Sequence, residues 1–234
     1  MKRRHAFVIG ASSGIGAATA KTLAQGGWQV TAAARRTDKL SELEALYPTL
    51  SACELDSSDR LAVQAAINQA PAIDVMIYAA GTNIPEREIE VLSHSDWRSA
   101  FGVNVDGAFH STQAVLPKMK NSGGGLIVYV SSISAERADA SGVAYQASKR
   151  ALHGLAEGTA LEQGSNGIRT TLIMPGLTRT DFNALRRSPP SEEERAKFLM
   201  PEDVAAAIAF VCGLPPHMMI PSLTVVPTAN PWNR

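Results

Sequence analysis

The feature that most constrains this chain is a junction near its start. An apolar run of strand character, Ala6–Ile9, passes directly into Gly10-Ala11-Ser12-Ser13-Gly14-Ile15-Gly16, and a segment of helical period follows. The three glycines have separate physical uses. Gly10 permits a tight turn, the missing side chain at Gly14 lets a ligand approach the backbone, and Gly16 lets a helix pack closely on the strand. The first N–H groups of such a helix lack intrahelical acceptors and face outward, which suits an anion. A strand that turns into a helix in this way opens a strand–helix–strand crossover and so restricts the architectures open to the rest of the chain.

The remaining sequence repeats the alternation. Strand-like runs at Gln29–Ala33, Ser51–Leu55, Val75–Ala79, Leu126–Ser131 and Thr170–Met174 are separated by helical segments at Ile15–Gln25, Lys39–Leu46, Arg60–Gln69, Asp96–Lys120 and Tyr145–Glu162. In the fourth helical segment Trp97, Phe101, Val105, Phe109, Thr112 and Leu116 recur at three- and four-residue steps, forming one stripe. Crossovers of this length imply an α/β fold of the Rossmann type, a doubly wound parallel sheet with helices on both faces. A chain of 234 residues suits a single domain, 1–234. The rhythm breaks only near 176–200, around Pro189–Pro190. An insertion there, on the carboxyl side of the sheet, either covers a substrate or runs as an irregular surface loop.

Charge narrows the function. Lys plus Arg and Asp plus Glu balance at 22 each, which argues against a nucleic-acid partner, since phosphate binders carry a basic surplus. The longest acidic run, Glu192–Glu194, reads as a solvated helix start. Two distant cysteines, Cys53 and Cys212, make neither a disulfide framework nor a cysteine-rich metal site, and buried thiols point to the cytoplasm. No run approaches the roughly 18 to 20 apolar residues of a membrane span, so no membrane partner is expected. His5, His94, His110, His153 and His217 show no paired ligand spacing, and no metal is expected.

Chemistry enters with the second strand, which ends Ala34-Arg35-Arg36. A dinucleotide fold that takes NAD places an acid near here for the ribose 2′-hydroxyl. Two arginines suit a 2′-phosphate instead, so the expected cofactor is NADP. Farther on, Tyr145 and Lys149 lie four residues apart on one helix face. A free phenol titrates near about 10, too high for easy proton exchange at neutral pH, and a fixed cation beside it lowers that value. Ser132, at the end of the strand Leu126–Ser131, can donate to a carbonyl oxygen as charge develops on it. Taken singly, Ser132 is also a strand-end cap, Asn104 a locally bonded helix residue, and Asp56 an N-cap.

In order and spacing, Gly10–Gly16, Asn104, Ser132, Tyr145 with Lys149, and Pro175-Gly176 resemble the short-chain dehydrogenase/reductase family across essentially the whole chain. The resemblance implies Tyr145 as general acid/base, Ser132 as the substrate-orienting donor, and Lys149 as ribose ligand and modifier of the tyrosine. It implies that Asn104 holds a helix bulge and a proton-relaying water. Gly10, Ser12, Ser13, Gly14, Ile15 and Gly16 would hold the dinucleotide with Arg35, Arg36, Ala80, Gly81, Pro175 and Gly176. Asp56 would meet the adenine, and Thr178 or Thr180 the nicotinamide carboxamide. One departure stands out. The family usually has Asn-Asn-Ala-Gly after the fourth strand, where this chain has Tyr78-Ala79-Ala80-Gly81.

The expected activity is therefore hydride transfer between NADP and a small-molecule alcohol or carbonyl. Resemblance to members acting on small hydroxy acids makes such an acid one candidate substrate, with Arg179, Arg186 and Arg187 either carboxylate receptors or solvent-exposed side chains. General carbonyl or 3-oxoacyl reduction is the alternative within the class, and a non-catalytic NADP-sensing protein the alternative outside it. The family pairs the helices around Trp97–Leu116 and Tyr145–Leu161 across subunits, which implies a homodimer or homotetramer.

Overall fold

The computed structural model describes residues 4–185 and 189–229. Its centre is a parallel seven-stranded sheet in the order β3-β2-β1-β4-β5-β6-β7. The strands are β1 (His5–Ile9), β2 (Gln29–Ala34), β3 (Leu50–Glu54), β4 (Val75–Tyr78), β5 (Gly125–Val130), β6 (Ile168–Pro175) and β7 (Ser222–Val225). Strand order reverses between β1 and β4, and the loops that leave the two carboxyl ends diverge there to open a crevice.

Burial on both faces makes the central strands almost continuously apolar, and the pleat divides their side chains. Ala6 and Val8 face a core shared with α1 (Gly14–Gln25), α2 (Thr37–Leu46) and α8 (Pro201–Cys212), whereas Phe7 and Ile9 face the other core. That second core is closed by α3 (Arg60–Gln69), α5 (Gly107–Asn121) and α6 (Val143–Gln163). The result is the three-layer, doubly wound Rossmann-type architecture expected from the alternation.

Three elements differ from the sequence expectation. The expected single helix at Asp96–Lys120 is α4 (His94–Phe101), a π turn at Gly102–Asp106, and α5. The extra residue of the π turn shifts the helix face, so the buried side of α5 is Ala108, Ser111, Thr112, Val115 and Met119, while Phe109 of the expected stripe is 47% exposed. Second, α8 and β7 were not anticipated. The alanine-rich stretch of α8 carries little periodic contrast, and Ser222–Val225 is a short edge strand of mixed burial. Third, the segment near 176–200 contains its own structure. A 3-10 turn spans Asp181–Leu185, and α7 (Glu192–Arg195) opens with a capping box between Ser191 and Glu194. The acidic run is thus a helix start, its carboxylates favoured near the N–H groups of the first turn.

Candidate active site

A cleft of about 350 Å³ lies at the carboxyl ends of β1, β4, β5 and β6, and every residue expected in catalysis or cofactor binding borders it except Asn104. Close approach explains the glycines. Gly10 has φ +87, and a Cβ on it would stand 2.5 Å from Ala80 N; a Cβ on Gly16 would stand 2.2 Å from Gly10 O. No side chain caps the N-terminus of α1, so its first N–H groups are presented to the cleft end of the turn.

Beside this turn Arg36 donates through Nε and Nη2 to Ser12 Oγ at 3.2 and 3.1 Å, and through Nη2 to Ser13 Oγ at 2.6 Å. The guanidinium is thereby fixed over the glycine turn, with Arg35 on the same wall. Asp56 closes that end. It is not the N-cap of α3, a role taken by Asp59, whose Oδ1 accepts from Leu61 N and Ala62 N. Asp56 instead heads a local turn, accepting from Ser58 N and Oγ, and those bonds hold its carboxyl below the usual range.

At the opposite end Lys149 is buried and donates to Val130 O at 2.8 Å. Burial pulls its amine down to about 8. Its Nζ lies 5.7 Å from the centre of the Tyr145 ring, and a Cβ on Gly81 would come 3.3 Å from that Nζ and 3.5 Å from Asn104 Oδ1. The missing side chain at Gly81 thus lets the ammonium and the Asn104 amide oxygen come close to the loop after β4, where a Cβ would crowd them. Asn104 sits in the π turn behind the cleft wall. Its amide group donates to Thr82 O at 3.0 Å and Ser148 Oγ at 2.9 Å, and its Oδ1 accepts from Thr82 N at 2.8 Å. Both amide hydrogens are spent on positioning the loop after β4 against α6, a long-range tie rather than a local helix bond.

Ser132 caps the 3-10 turn at Ile133–Ala135, its Oγ accepting from Ser134 N at 3.1 Å. It donates to Ser134 Oγ at 3.1 Å, which donates to Asp139 Oδ2 at 2.6 Å. Neither Ser134 nor Asp139 was anticipated; the spacing Ser132-Ile-Ser134 after a strand was the available signal. Also unanticipated on the wall are Asn83, which donates to Ser141 O at 3.0 Å, Arg87, and Phe182. The Phe182 ring lies 5.6 Å from that of Tyr145.

The segment that carries Phe182 is tied at its base. Arg179 N donates to Leu199 O at 2.8 Å and Leu199 N to Leu177 O at 2.9 Å. Arg179 points its guanidinium at Glu192 Oε2, 2.7 Å away, and is therefore not the carboxylate receptor the sequence suggested. Arg186 and Arg187 lie outside the described residues. Thr178 Oγ1 donates to Gly176 O at 3.0 Å, while Thr180 approaches the Gly14 turn, within 3.1 Å of where a Cβ would be.

The Tyr78 departure has a structural reason. Its buried hydroxyl donates to Val103 O at 2.5 Å and, its one hydrogen being spent there, accepts from Ser57 Oγ at 3.0 Å, linking the π turn to the loop after β3. Gly107 makes room for it, since a Cβ there would stand 2.2 Å from the Tyr78 oxygen. The described residues contain no cluster of metal-ligating side chains and no helix long and apolar enough to cross a membrane.

Known proteins are similar to this chain in sequence and fold. The short chain dehydrogenase family model matches residues 4–190. An uncharacterized oxidoreductase of Staphylococcus haemolyticus is 32% identical, with 96% of this chain and 97% of the relative covered. A sulfoacetaldehyde reductase of Chromohalobacter salexigens is 28% identical, covering 97% of this chain and 95% of its own. Among solved structures, the closed form of a serine dehydrogenase complexed with NADP+ superposes with a TM-score of 0.89 at 28% identity, covering 96% of this chain and 95% of that one. The chain belongs to the short chain dehydrogenase family, and it is an oxidoreductase whose fold binds a nicotinamide cofactor.

Proposed function

We propose that this enzyme is NADP-dependent and interconverts an alcohol, with a small hydroxy acid as candidate substrate, and the corresponding carbonyl, using Tyr145 as general acid/base. The observation that carries the reading is the meeting of Tyr145, Ser132 and buried Lys149 on the cleft that Arg36 borders at its other end. NADP is favoured over NAD because two guanidinium groups, one fixed by Ser12 and Ser13, stand where a ribose acid would otherwise be.

When bound, the nicotinamide supplies or accepts the hydride. The glycine turn and uncapped α1 would hold the pyrophosphate, Arg35 and Arg36 the 2′-phosphate, Asp56 the adenine end, and Thr178 or Thr180 the carboxamide. Tyr145 gives the proton to the substrate oxygen in reduction and takes it back in oxidation. Lys149, oriented by Val130 O, would bind ribose hydroxyls and stabilise the phenolate by its charge. Ser132 would hold the substrate oxygen, and Asn104 keeps the loop after β4 against α6. The segment near 176–200 covers the substrate, with Phe182 beside the phenol excluding water.

Apolar side chains left open on the helices expected to pair, Phe109 at 47% and Leu161 at 87% exposure, favour a homodimer or homotetramer, to be tested by mass in solution. The two free cysteines suit a reducing cytoplasm, to be tested by cell fractionation.

The test is Tyr145→Phe with both nicotinamides over hydroxy acids, aldehydes, ketones and 3-oxoacyl thioesters. We expect NADPH binding to persist within a few-fold and turnover to fall by about 100-fold or more. A variant that keeps most of its turnover overturns the assignment.

A further inference from the structure

Among the described residues the cleft wall carries two aromatic rings, Tyr145 and Phe182. Phe182 is half-buried, and the apolar cores close without it. Its ring rests instead on Tyr145, with centroids 5.6 Å apart and planes inclined by 51°. Rings at that separation are in contact, so no substrate group passes between them. A large apolar side chain that serves no core and stands against the ring of the general acid/base is placed to limit what reaches it.

The segment around Phe182 holds it there. Phe182 lies in the 3-10 turn Asp181–Leu185, where Asn183 N donates to Thr180 O at 3.1 Å. The Asn183 side chain is buried, and its Nδ2 donates to Thr178 O at 2.9 Å. On the other side Thr180 faces the glycine turn, its Cγ2 standing 3.1 Å from where a Cβ on Gly14 would be. Phe182 is thus held between two hydrogen bonds of the residue that follows it and a contact made by the segment before it. Its backbone cannot retreat from the cleft without breaking them.

We infer that Phe182 sets the size limit at the reacting carbon, so that compact aldehydes, unbranched methyl ketones and their alcohols are accepted and a ring or tertiary branch beside the carbonyl is refused. The inference deepens the oxidoreductase reading above and rests on its assignment of Tyr145. The substrate oxygen has to reach the Tyr145 hydroxyl, so the groups on the carbonyl carbon lie beside a ring whose flank Phe182 already fills. The cleft adds to the constraint. At about 350 Å³ it stands at the lower end of the range for ligand pockets, and it must take the dinucleotide as well. An apolar wall of this kind discriminates by excluded volume, and one methylene against it is worth about 10- to 200-fold in kcat/KM.

The experiment measures kcat/KM with NADPH for butan-2-one, 3,3-dimethylbutan-2-one and phenylethanone, using wild type, Phe182→Ala and Phe182→Leu. Each bulky ketone is read as a ratio to butan-2-one, and the change of that ratio between variants cancels intrinsic reactivity. NADPH affinity, expected within a few-fold of wild type, is the folding control. We expect both ratios to rise by about tenfold or more in Phe182→Ala and by less in Phe182→Leu, while kcat/KM on butan-2-one itself falls. Loss of a merely structural contact would lower all three ketones together and leave the ratios where they were. Ratios within about twofold of wild type therefore overturn the inference, with Phe182→Leu deciding alone should Phe182→Ala lose NADPH binding. Failure of wild type to reduce butan-2-one while it reduces other members of the panel above overturns it too. In both cases the oxidoreductase reading stands or falls separately, by Tyr145→Phe. Absence of wild-type turnover on these three and on the whole panel overturns both.

Discussion

Ser134 donates its hydroxyl to Asp139 Oδ2 at 2.6 Å, and this bond sets the direction of the neighbouring Ser132 proton. A carboxylate only accepts, so Ser134 spends its hydrogen on Asp139 and offers a lone pair to Ser132 Oγ, 3.1 Å away. Ser132 thereby meets the cleft as an acceptor. That arrangement is matched to the hydroxyl of an alcohol, whereas a carbonyl requires the Ser132 hydroxyl to turn. Asp139 itself is fixed, its Oδ1 accepting from Ser141 N at 2.8 Å and its backbone oxygen from Gln146 Nε2 at 2.8 Å.

Asp139→Asn replaces an obligate acceptor with a group that can also donate, and releases the direction of the Ser134 and Ser132 protons. We expect kcat to fall about five- to tenfold, the scale of one redirected hydrogen bond. NADPH affinity should stay within about twofold, because the relay lies at the substrate end. Steady-state rates in both directions and a calorimetric NADPH titration check this. A parallel loss of cofactor affinity would show Asp139 to be merely structural.

Arg36 is tied to the glycine turn by three bonds, so cofactor choice and turn geometry are linked. Arg35→Ala with Arg36→Ala should weaken NADPH by about 100-fold or more and NADH by only a few-fold, since charge-assisted contacts to a phosphate are lost in one case only. Fluorescence titration with both nucleotides reads the ratio. Equal loss would mean that the arginines support the turn and not the 2′-phosphate.

How far the sequence led differs by element. The β1–α1 junction was legible because strand, glycine turn and helix are contiguous and each glycine answers a steric demand within a few residues, as at Gly10 and Gly16. Tyr145 and Lys149 were legible because helical spacing places them together. Arg87 and Phe182 on the cleft wall, and Asp139 behind Ser134, come from three separate loops, and only the sheet order brings them together. Loop residues carry no periodicity that would announce such convergence. The π turn, where the family resemblance put a helix bulge at Asn104, was hidden from periodicity alone for a related reason. Its insertion changes the face of α5 without breaking the three- and four-residue spacing of the stripe from Trp97 to Leu116.

Tyr78 turns a departure from the family pattern into a stability prediction. Its hydroxyl satisfies Val103 O in the π turn and Ser57 Oγ beside Asp56. Tyr78→Phe keeps the ring packed and leaves Val103 O without its donor and the Ser57 hydroxyl without its acceptor, which should destabilise the protein by about 1–3 kcal/mol. Denaturant midpoints read the loss. Because Ser57 and Val103 both border the cleft, NADPH affinity should weaken several-fold as well. A stability change below about 0.5 kcal/mol, within the range of ordinary surface substitutions, would show that the bond is dispensable.

Lys149 carries a stability cost whose sign follows from its burial. Its amine titrates at about 8 in the folded protein against an ordinary 10.5, so between those values the unfolded chain binds the proton that the folded chain releases. Stability from this group therefore rises with pH across that window. The penalty is fully present below about pH 8 and is relieved near pH 10.5, a span worth about 3 kcal/mol. Lys149→Met removes the titration and keeps the volume, although it leaves Val130 O without its donor. Wild type minus variant stability, measured by urea unfolding without cofactor from pH 7 to 10.5, should thus move in favour of wild type by about 3 kcal/mol as pH rises. Tyr145→Phe carried in both chains removes the one phenol beside the ammonium, and the remaining tyrosines and cysteines titrate alike and cancel from the difference. A difference independent of pH would mean that the ammonium is better solvated in the fold than its burial implies.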